Sequence, residues 1–156
     1  MSDLVRVAVD AMGGDYAPAE PVKGAVEAVN ADERVKVQLV GQVDVIEKEL
    51  QKYTYPKERV EIVPATEIIE TGEPPVNAIR HKKDSSIVVG MKKVRYGEAD
   101  AFVSAGSSGA VLVGGQVLVG RIKGVERPPF GALIPTEKGV SLLLDCGANV
   151  DSRPSH

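Results

Sequence analysis

Residues 104–109 (SAGSSG) combine hydroxyl side chains with glycines directly ahead of an apolar run. A strand that leads through such a turn into a helix points several backbone N–H groups at one spot, and the helix dipole favours an anion there. The same spacing also fits a plain N-cap, with Ser107 or Ser108 capping a buried helix. Both interpretations stay open on these residues. A phosphate site here would use the hydroxyl groups and the glycine backbone of Ser104, Gly106, Ser107, Ser108 and Gly109.

A second polar turn, residues 10–15 (DAMGGD), places two carboxylates around a double glycine after the first apolar run. Asp10 and Asp15 could orient a substrate, bind a metal through water, or act as an acid or base. Gly13 and Gly14 would allow the backbone to approach a ligand closely. The alternative is structural: Asp10 ends a strand and Asp15 begins an Asx turn.

A third polar turn, residues 145–151 (DCGANVD), follows the last apolar run. Asn149 and Asp151 could join the same site, or could hydrogen-bond their own backbone in a turn. We expect Cys146 to be a small buried residue rather than a nucleophile. The sequence holds only two histidines, His81 and His156, so that Ser–His or Cys–His catalytic pairs have few possible members.

A basic segment, RHKKDSS, lies ahead of a helix start. It could bind phosphate or an acidic protein partner, or it could be a solvated helix face. Its cationic or near-cationic side chains are Arg80, His81, Lys82 and Lys83.

The elements that would position these residues alternate between strand and helix patterns. Apolar, β-branched runs predict strands at residues 4–9, 35–41, 60–65 and 99–106, and helical spacing lies between them. Residues 130–145 predict a hairpin. The alternation indicates an α/β fold with a mainly parallel sheet and helices on both faces, where ligands bind beyond the carboxyl ends of strands. The three polar turns would then share one rim.

Composition limits the remaining possibilities. The chain has 156 residues, a formal net charge of −3 and one cysteine, which predicts one domain, no internal disulfide and no global attraction to nucleic acid. No signal peptide is visible, and the longest apolar run, residues 109–120, is too short to span a bilayer; both favour a cytoplasmic protein. A helix-start signal at the last residues indicates a truncated chain.

Five motifs together resemble the bacterial phosphate acyltransferases of the PlsX family: VAVDAMGGDYAP, AIRHKKDSS, VSAGSSGA, GRIKGVERP and LLLDCGANVD. They run in order from about residue 5 to residue 156 and match roughly the first half of a family member. The resemblance implies a three-layer α/β/α sandwich like isopropylmalate dehydrogenase and phosphotransacetylase, usually as a homodimer. Two departures keep a polar side chain: His81 stands where arginine is common, and Ser107-Ser108 where Asn-Thr is common.

The resemblance implies an enzyme that forms acyl-phosphate from acyl-acyl carrier protein and inorganic phosphate, without a cofactor, for a downstream membrane acyltransferase; no metal site is predicted among these residues, and the sequence leaves a metal requirement open. The missing half would supply any peripheral association with the inner face of the cell membrane. The alternatives are a catalytically incomplete fragment that keeps only a binding surface, and a phosphotransacetylase-like enzyme that uses acyl-CoA. Three groups are expected: a catalytic rim of Asp10, Asp15, Asn149 and Asp151; a phosphate site of Ser104, Gly106, Ser107, Ser108, Gly109, Gly13 and Gly14; and carrier-protein or anion docking by Arg80, His81, Lys82 and Lys83.

Overall fold

The computed structural model describes residues 4–146, and its centre is a four-stranded parallel sheet. The strands lie in the order β3-β2-β1-β4. The predicted parallel sheet is confirmed, although the fourth strand is shorter than residues 99–106 because the chain leaves the sheet at Ser104 to form a loop. The strands are β1 (Val5–Asp10), β2 (Val35–Gly41), β3 (Val60–Pro64) and β4 (Ala101–Val103).

Helices connect these strands, as the periodicity predicts. Val22, Val26 and Val29 lie on the buried face of the first helix, at helical spacing. Ser85 caps the fourth helix, because its side chain accepts a hydrogen bond from the backbone N–H of Val88. The helices are α1 (Ala19–Ala31), α2 (Val43–Leu50), α3 (Pro75–His81), α4 (Ser86–Arg95) and α5 (Ser108–Gly114), with a 3-10 turn at Lys57–Arg59 and a π-helical turn at Gly115–Val119.

Side chains of alternating residues in β2 point to opposite faces of the sheet and enter different cores. Leu39 packs with residues of α1 and α2 on one face. Val40 packs on the other face with Ala8 and with residues of α4. A third cluster, which includes Ile79 and Met91, joins α3, α4 and α5 on that second face. Helices therefore cover both faces, which confirms the predicted three layers.

The order of the strands reverses at β1. The chain passes from β1 to β2 and β3 on one side, then crosses to place β4 on the other side of β1, with Val9 opposite Val103. In open α/β sheets, ligands bind at the carboxyl ends of the strands at such a reversal. In this sheet, that reversal lies at the carboxyl ends of β1 and β4.

Polar contacts fix β4 to β1 at the opposite, amino end of the strands. The backbone N–H of Asp100 donates to the Arg6 carbonyl at 2.7 Å, and Arg6 Nη2 lies 2.9 Å from Asp100 Oδ1. The hydrogen bond from Arg6 lowers the pKa of the Asp100 carboxyl, and the same bond raises the pKa of Arg6.

The predicted hairpin is confirmed at β5 (Gly131–Thr136) and β6 (Gly139–Leu144), which pair antiparallel as a separate two-stranded sheet. Gly139 follows the two-residue turn with φ of +135°, a conformation that favours glycine. Cys146 is exposed, so the expectation that it is buried is wrong: it follows β6, whose side chains no other layer within residues 4–146 covers. Within residues 4–146, no helix is both long and apolar enough to cross a membrane.

Candidate anion site at the carboxyl ends of β1 and β4

A hydrogen-bond network joins the loops that follow β1 and β4. Asp10, the last residue of β1, is buried, and its Oδ2 accepts a hydrogen bond from Ser104 Oγ at 2.7 Å. Its other oxygen, Oδ1, accepts from the backbone N–H of Met12 at 3.1 Å. Ser104 Oγ in turn accepts from the backbone N–H of Gly106 at 3.0 Å. One carboxylate therefore orders both loops, because each of its oxygens holds a different one.

Glycines allow the two loops to approach this closely. A Cβ atom at Gly13 would lie 2.2 Å from Asp10 Oδ2 and 2.9 Å from the backbone nitrogen of Gly106. A Cβ atom at Gly106 would lie 3.3 Å from the Gly13 Cα. Gly14 has φ of +101°, which side chains rarely adopt. A ligand-binding role for these glycines is a prediction from the sequence; in the structure, Gly13 and Gly106 let one loop pack against the other.

The start of α5 adjoins this network. Ser107 is the N-cap: its buried Oγ accepts a hydrogen bond from the backbone N–H of Ala110 at 3.3 Å. Ser108 and Gly109, the first two helical residues, have N–H groups that find no acceptor among residues 4–146. The helix-cap interpretation of Ser107 is therefore confirmed, and the helix start still offers two donors next to the loop that have no acceptor in the described part of the chain.

The side chains of the basic segment have different hydrogen-bond partners. Lys82 Nζ donates to Glu73 Oε1 at 2.5 Å and to the Ile68 carbonyl at 2.6 Å, so it holds the segment between β3 and α3. This hydrogen bond from Lys82 lowers the pKa of the Glu73 carboxyl. Lys83 Nζ donates to the Ile79 carbonyl at 3.2 Å.

Arg80 and His81 are exposed at the C-terminal end of α3. The other end of that helix contacts the start of α5, because a Cβ atom at Gly109 would lie 2.6 Å from Pro75 Cγ. Seven helical residues separate the two ends by about 10 Å. Arg80 and His81 therefore lie near the candidate site without lining it.

The remaining candidates lie at or beyond the margin of the site. Asp15 is exposed in the loop after β1. Asn149 and Asp151 lie outside the described residues. No group of three or more histidine, cysteine, aspartate or glutamate side chains between residues 4 and 146 could hold a metal ion. Sequence reasoning missed the bond between Asp10 and Ser104; its only signal was that each residue ends a predicted strand or follows one.

The polar groups that are already paired determine what this site can do chemically. Two unpaired N–H groups at a helix start favour an anion. The buried Asp10 carboxylate already accepts two hydrogen bonds, and the Ser104 hydroxyl proton is donated to it. In this structure the two side chains therefore bind each other and the loop backbone, and the N–H groups of Ser108 and Gly109 have no acceptor among residues 4–146.

Known proteins share both the sequence and the fold. Residues 5–156 match the family model described as "Fatty acid synthesis protein". The phosphate acyltransferase of Alkaliphilus oremlandii is 51% identical over 151 residues, which cover 96% of this chain and 44% of that protein. The phosphate acyltransferase of Halothermothrix orenii is 45% identical, with 97% and 46% covered.

Among solved structures, a phosphotransacetylase from Streptococcus pyogenes superposes with a TM-score of 0.65 at 15% identity, over 96% of this chain and 49% of that one. This likeness shows a shared fold and confirms the phosphotransacetylase-like architecture. The chain spans about half the length of the curated relatives it matches. The family model and the two relatives together show that this chain belongs to the fatty acid synthesis protein family, as its resemblance to phosphate acyltransferases predicts.

Proposed function

We propose that this chain carries the phosphate-binding part of an enzyme that forms acyl-phosphate from an acyl-acyl carrier protein and inorganic phosphate. The observation that carries the proposal is the joining of the β1 and β4 loops by Asp10 and Ser104 beside the unpaired N–H groups of Ser108 and Gly109. The names of its relatives support the reaction class, since they are phosphate acyltransferases.

The reaction requires what this site offers. An oxygen of hydrogen phosphate attacks the thioester carbonyl, the C–S bond breaks, and the proton of the phosphate passes to the departing thiolate. The products are an acyl-phosphate and a free thiol, and no covalent enzyme intermediate is needed because a thiolate leaves readily. Catalysis then depends on holding the anion, stabilising the oxyanion and aligning the two reactants.

We assign the roles accordingly. The N–H groups of Ser108 and Gly109, with the Ser108 hydroxyl, hold phosphate or the developing oxyanion. Asp10 and Ser104 keep the two loops in register. The remaining members of the proposed rim and cradle are Gly13, Gly14, Asp15, Gly106, Ser107, Asn149 and Asp151.

The exposed cations form the proposed docking surface for the acidic carrier protein. Arg80 and Lys83 would attract it by charge and His81 would offer a ring N–H, whereas Lys82 is engaged with Glu73. The family resemblance extends the proposal to a cytoplasmic homodimer that needs no cofactor. Such an enzyme would contact the inner face of the cell membrane through polypeptide beyond this chain and pass acyl-phosphate to a membrane acyltransferase.

A proline substitution tests the anion site. Ser108→Pro removes one N–H at the first helical position, where proline is tolerated. The preceding Ser107 has φ of −60° and ψ of 108°, which a following proline permits. Ser108→Ala is the matched control, because it keeps the N–H and removes only the hydroxyl.

We expect Ser108→Pro to weaken phosphate binding by roughly ten- to a hundredfold in calorimetry, since a hydrogen bond to a charged group is worth about 1.5–3 kcal/mol. Ser108→Ala should weaken it less. Equal affinity of Ser108→Pro and the unsubstituted chain would refute the site. An assay that traps acyl-phosphate, run with acyl-carrier protein and with acyl-CoA, separates the proposed substrate from a phosphotransacetylase-like one. A chain that binds phosphate and turns over neither donor would be a binding fragment.

A further inference from the structure

Helix α3 lies alongside α5, and the two helices start next to each other. The ring of Pro75, the first residue of α3, lies against Gly109, because a Cβ atom at Gly109 would be 2.6 Å from Pro75 Cγ. Further along, a Cβ atom at Gly114 would be 3.4 Å from Ile79 Cδ1. The two helices therefore run in the same direction, and a displacement of α3 would reach the backbone of Gly109 directly.

The chain that leads into α3, residues 65–74, lies outside every helix and strand. Asp84 holds its beginning, because Asp84 Oδ2 accepts hydrogen bonds from the N–H and the hydroxyl of Thr66 at 2.9 and 2.5 Å. Ile69 is buried in the cluster that joins α3, α4 and α5. Neither contact involves residues 70–74, which lead directly into α3.

An ion pair holds these last residues. The Glu73 N–H donates to the Glu70 carbonyl at 3.1 Å, and the Glu70 N–H donates to Glu73 Oε1 at 2.8 Å, so the two residues close a tight turn. The same oxygen accepts from Lys82 Nζ at 2.5 Å, and this Nζ also donates to the Ile68 carbonyl at 2.6 Å. Lys82 follows the last residue of α3, so the pair joins the chain before α3 to the chain after it. The two side chains are only 28% and 31% exposed, so solvent screens the pair in part.

We infer that Glu73 and Lys82 are positioning residues for the anion site, because their ion pair holds α3 at both ends and α3 packs against the backbone of Gly109. Neither side chain touches the anion in this arrangement. The inference rests on the proposed function for the identity of the ligand, phosphate. Its mechanism rests on the contacts of α3 alone.

Charge and position predict opposite results at Glu73. If only charge mattered, Glu73→Ala would strengthen phosphate binding, because it removes a carboxylate that repels an anion. If position matters, Glu73→Ala weakens binding, as Lys82→Met does. Glu73→Gln keeps an acceptor oxygen for Lys82 and for the Glu70 N–H. Lys93→Met is the matched control, because it breaks another lysine–glutamate pair, with Glu98 at 2.6 Å, in the chain that leads into β4.

We expect Glu73→Ala and Lys82→Met each to weaken phosphate binding by about three- to tenfold in calorimetry, and the double variant to weaken it no further. Glu73→Gln should keep most of the affinity, and Lys93→Met all of it. Tighter binding by Glu73→Ala, unchanged binding in both single variants, or losses that multiply in the double variant would each overturn the inference. If Glu73→Ala does not fold by circular dichroism, Glu73→Asp replaces it, because it shortens the side chain and keeps the charge; unchanged binding in Glu73→Asp overturns the inference as well.

A second measurement needs no ligand. The Val111 N–H donates to the Ser107 carbonyl at 2.9 Å in the first turn of α5. Its amide exchange should accelerate roughly tenfold in Glu73→Ala and in Lys82→Met, while exchange at Val26 in α1 stays the same. Equal rates at Val111 in all variants overturn the inference even where phosphate binds. A chain that binds no phosphate without any substitution contradicts the proposed function instead, and the exchange rates then decide whether the ion pair positions α5.

Discussion

The parallel sheet and the β5–β6 hairpin are built from the same kinds of residue, yet they end in opposite environments. Leu39 in β2 is fully buried, whereas Leu142 in β6 is 59% exposed. Both strands have complete ladders to a neighbour. The sheet is covered by helices on its two faces, and the hairpin has no covering layer in residues 4–146.

The difference shows that strand pairing does not by itself bury apolar side chains. Backbone hydrogen bonds and a glycine at the turn are enough to form a hairpin, but isolated two-stranded hairpins are only marginally stable. Removal of apolar area from water requires a second layer. The free energy of unfolding should therefore come almost entirely from the sheet and its helices.

The largest expected difference in stability is between substitutions of two leucines. Leu39→Ala should lower the free energy of unfolding by about 2–5 kcal/mol, because it leaves a cavity in a closed core. Leu142→Ala should change it by less than about 0.5 kcal/mol, because that side chain is exposed. Urea unfolding followed by circular dichroism measures both. Similar losses in the two variants would mean that the hairpin is buried in solution and that the contrast is wrong.

A pair of glycines extends the comparison to backbone geometry. Gly13→Ala should cost about 1–3 kcal/mol, because its methyl group would collide with Asp10 and the Gly106 backbone. Gly139→Ala strains a residue with positive φ, but only within the hairpin. We expect the second variant to loosen β5–β6 in amide exchange and to leave the main unfolding transition in place. A shift of that transition by Gly139→Ala as large as that by Gly13→Ala would contradict the separation.

Two hydroxyl groups test the same contrast between the sheet and the hairpin, with smaller expected effects on stability. Ser85→Ala removes the N-cap of α4 and should cost about 0.5–2 kcal/mol, since the Val88 N–H loses its acceptor. Thr136→Val removes a hydrogen bond to the Gly139 carbonyl in the exposed hairpin, and should change stability by less than about 0.5 kcal/mol. Thermal unfolding of both variants provides the measurement. A Thr136→Val effect that matches the loss at Ser85 would show that the hairpin contributes to global stability.

The smallest expected effect is a loss of stability at acidic pH. The side chain of Arg34, and then its backbone N–H, lower the pKa of the Asp32 carboxyl from 3.8 to about 2. Because the folded pKa lies below the unfolded one, this pair contributes stability above about pH 4, and the contribution is lost as pH falls toward 2. Arg34→Ala should return the pKa of Asp32 toward its ordinary value in an NMR titration. An unchanged pKa in that variant would mean that Arg34 does not hold the carboxyl.

Much of the fold was predictable because periodicity reports burial directly. The alternation of apolar strands with helical patterns predicted a parallel sheet with helices on both faces, and Gly139 marked the hairpin turn. Cys146 was predicted wrongly, because its neighbours along the chain do not tell whether another layer covers β6.

The site was only partly predictable. The polar turns after β1 and β4 were assigned to one rim from topology alone, and Asp10 and Ser104 do meet there. Their mutual hydrogen bond could not be foreseen, because it depends on the register of β4 against β1. The ion pair of Lys82 with Glu73 could not be foreseen either, because a basic segment has the same sequence pattern whether its cations are paired or exposed. The roles assigned to Asp15, Asn149 and Asp151 stay predictions.

The contact between Asp10 and Ser104 has a further consequence for the time course of folding. The two residues are 94 positions apart, and β2 and β3 lie between them in the chain. Contacts of such long sequence separation form slowly, because the intervening chain must lose its freedom before they stabilise anything. During synthesis, β1, β2 and β3 can pair before Ser104 has left the ribosome. The anion site should therefore be among the last parts of the sheet to assemble, and phosphate affinity would report that the sheet is complete.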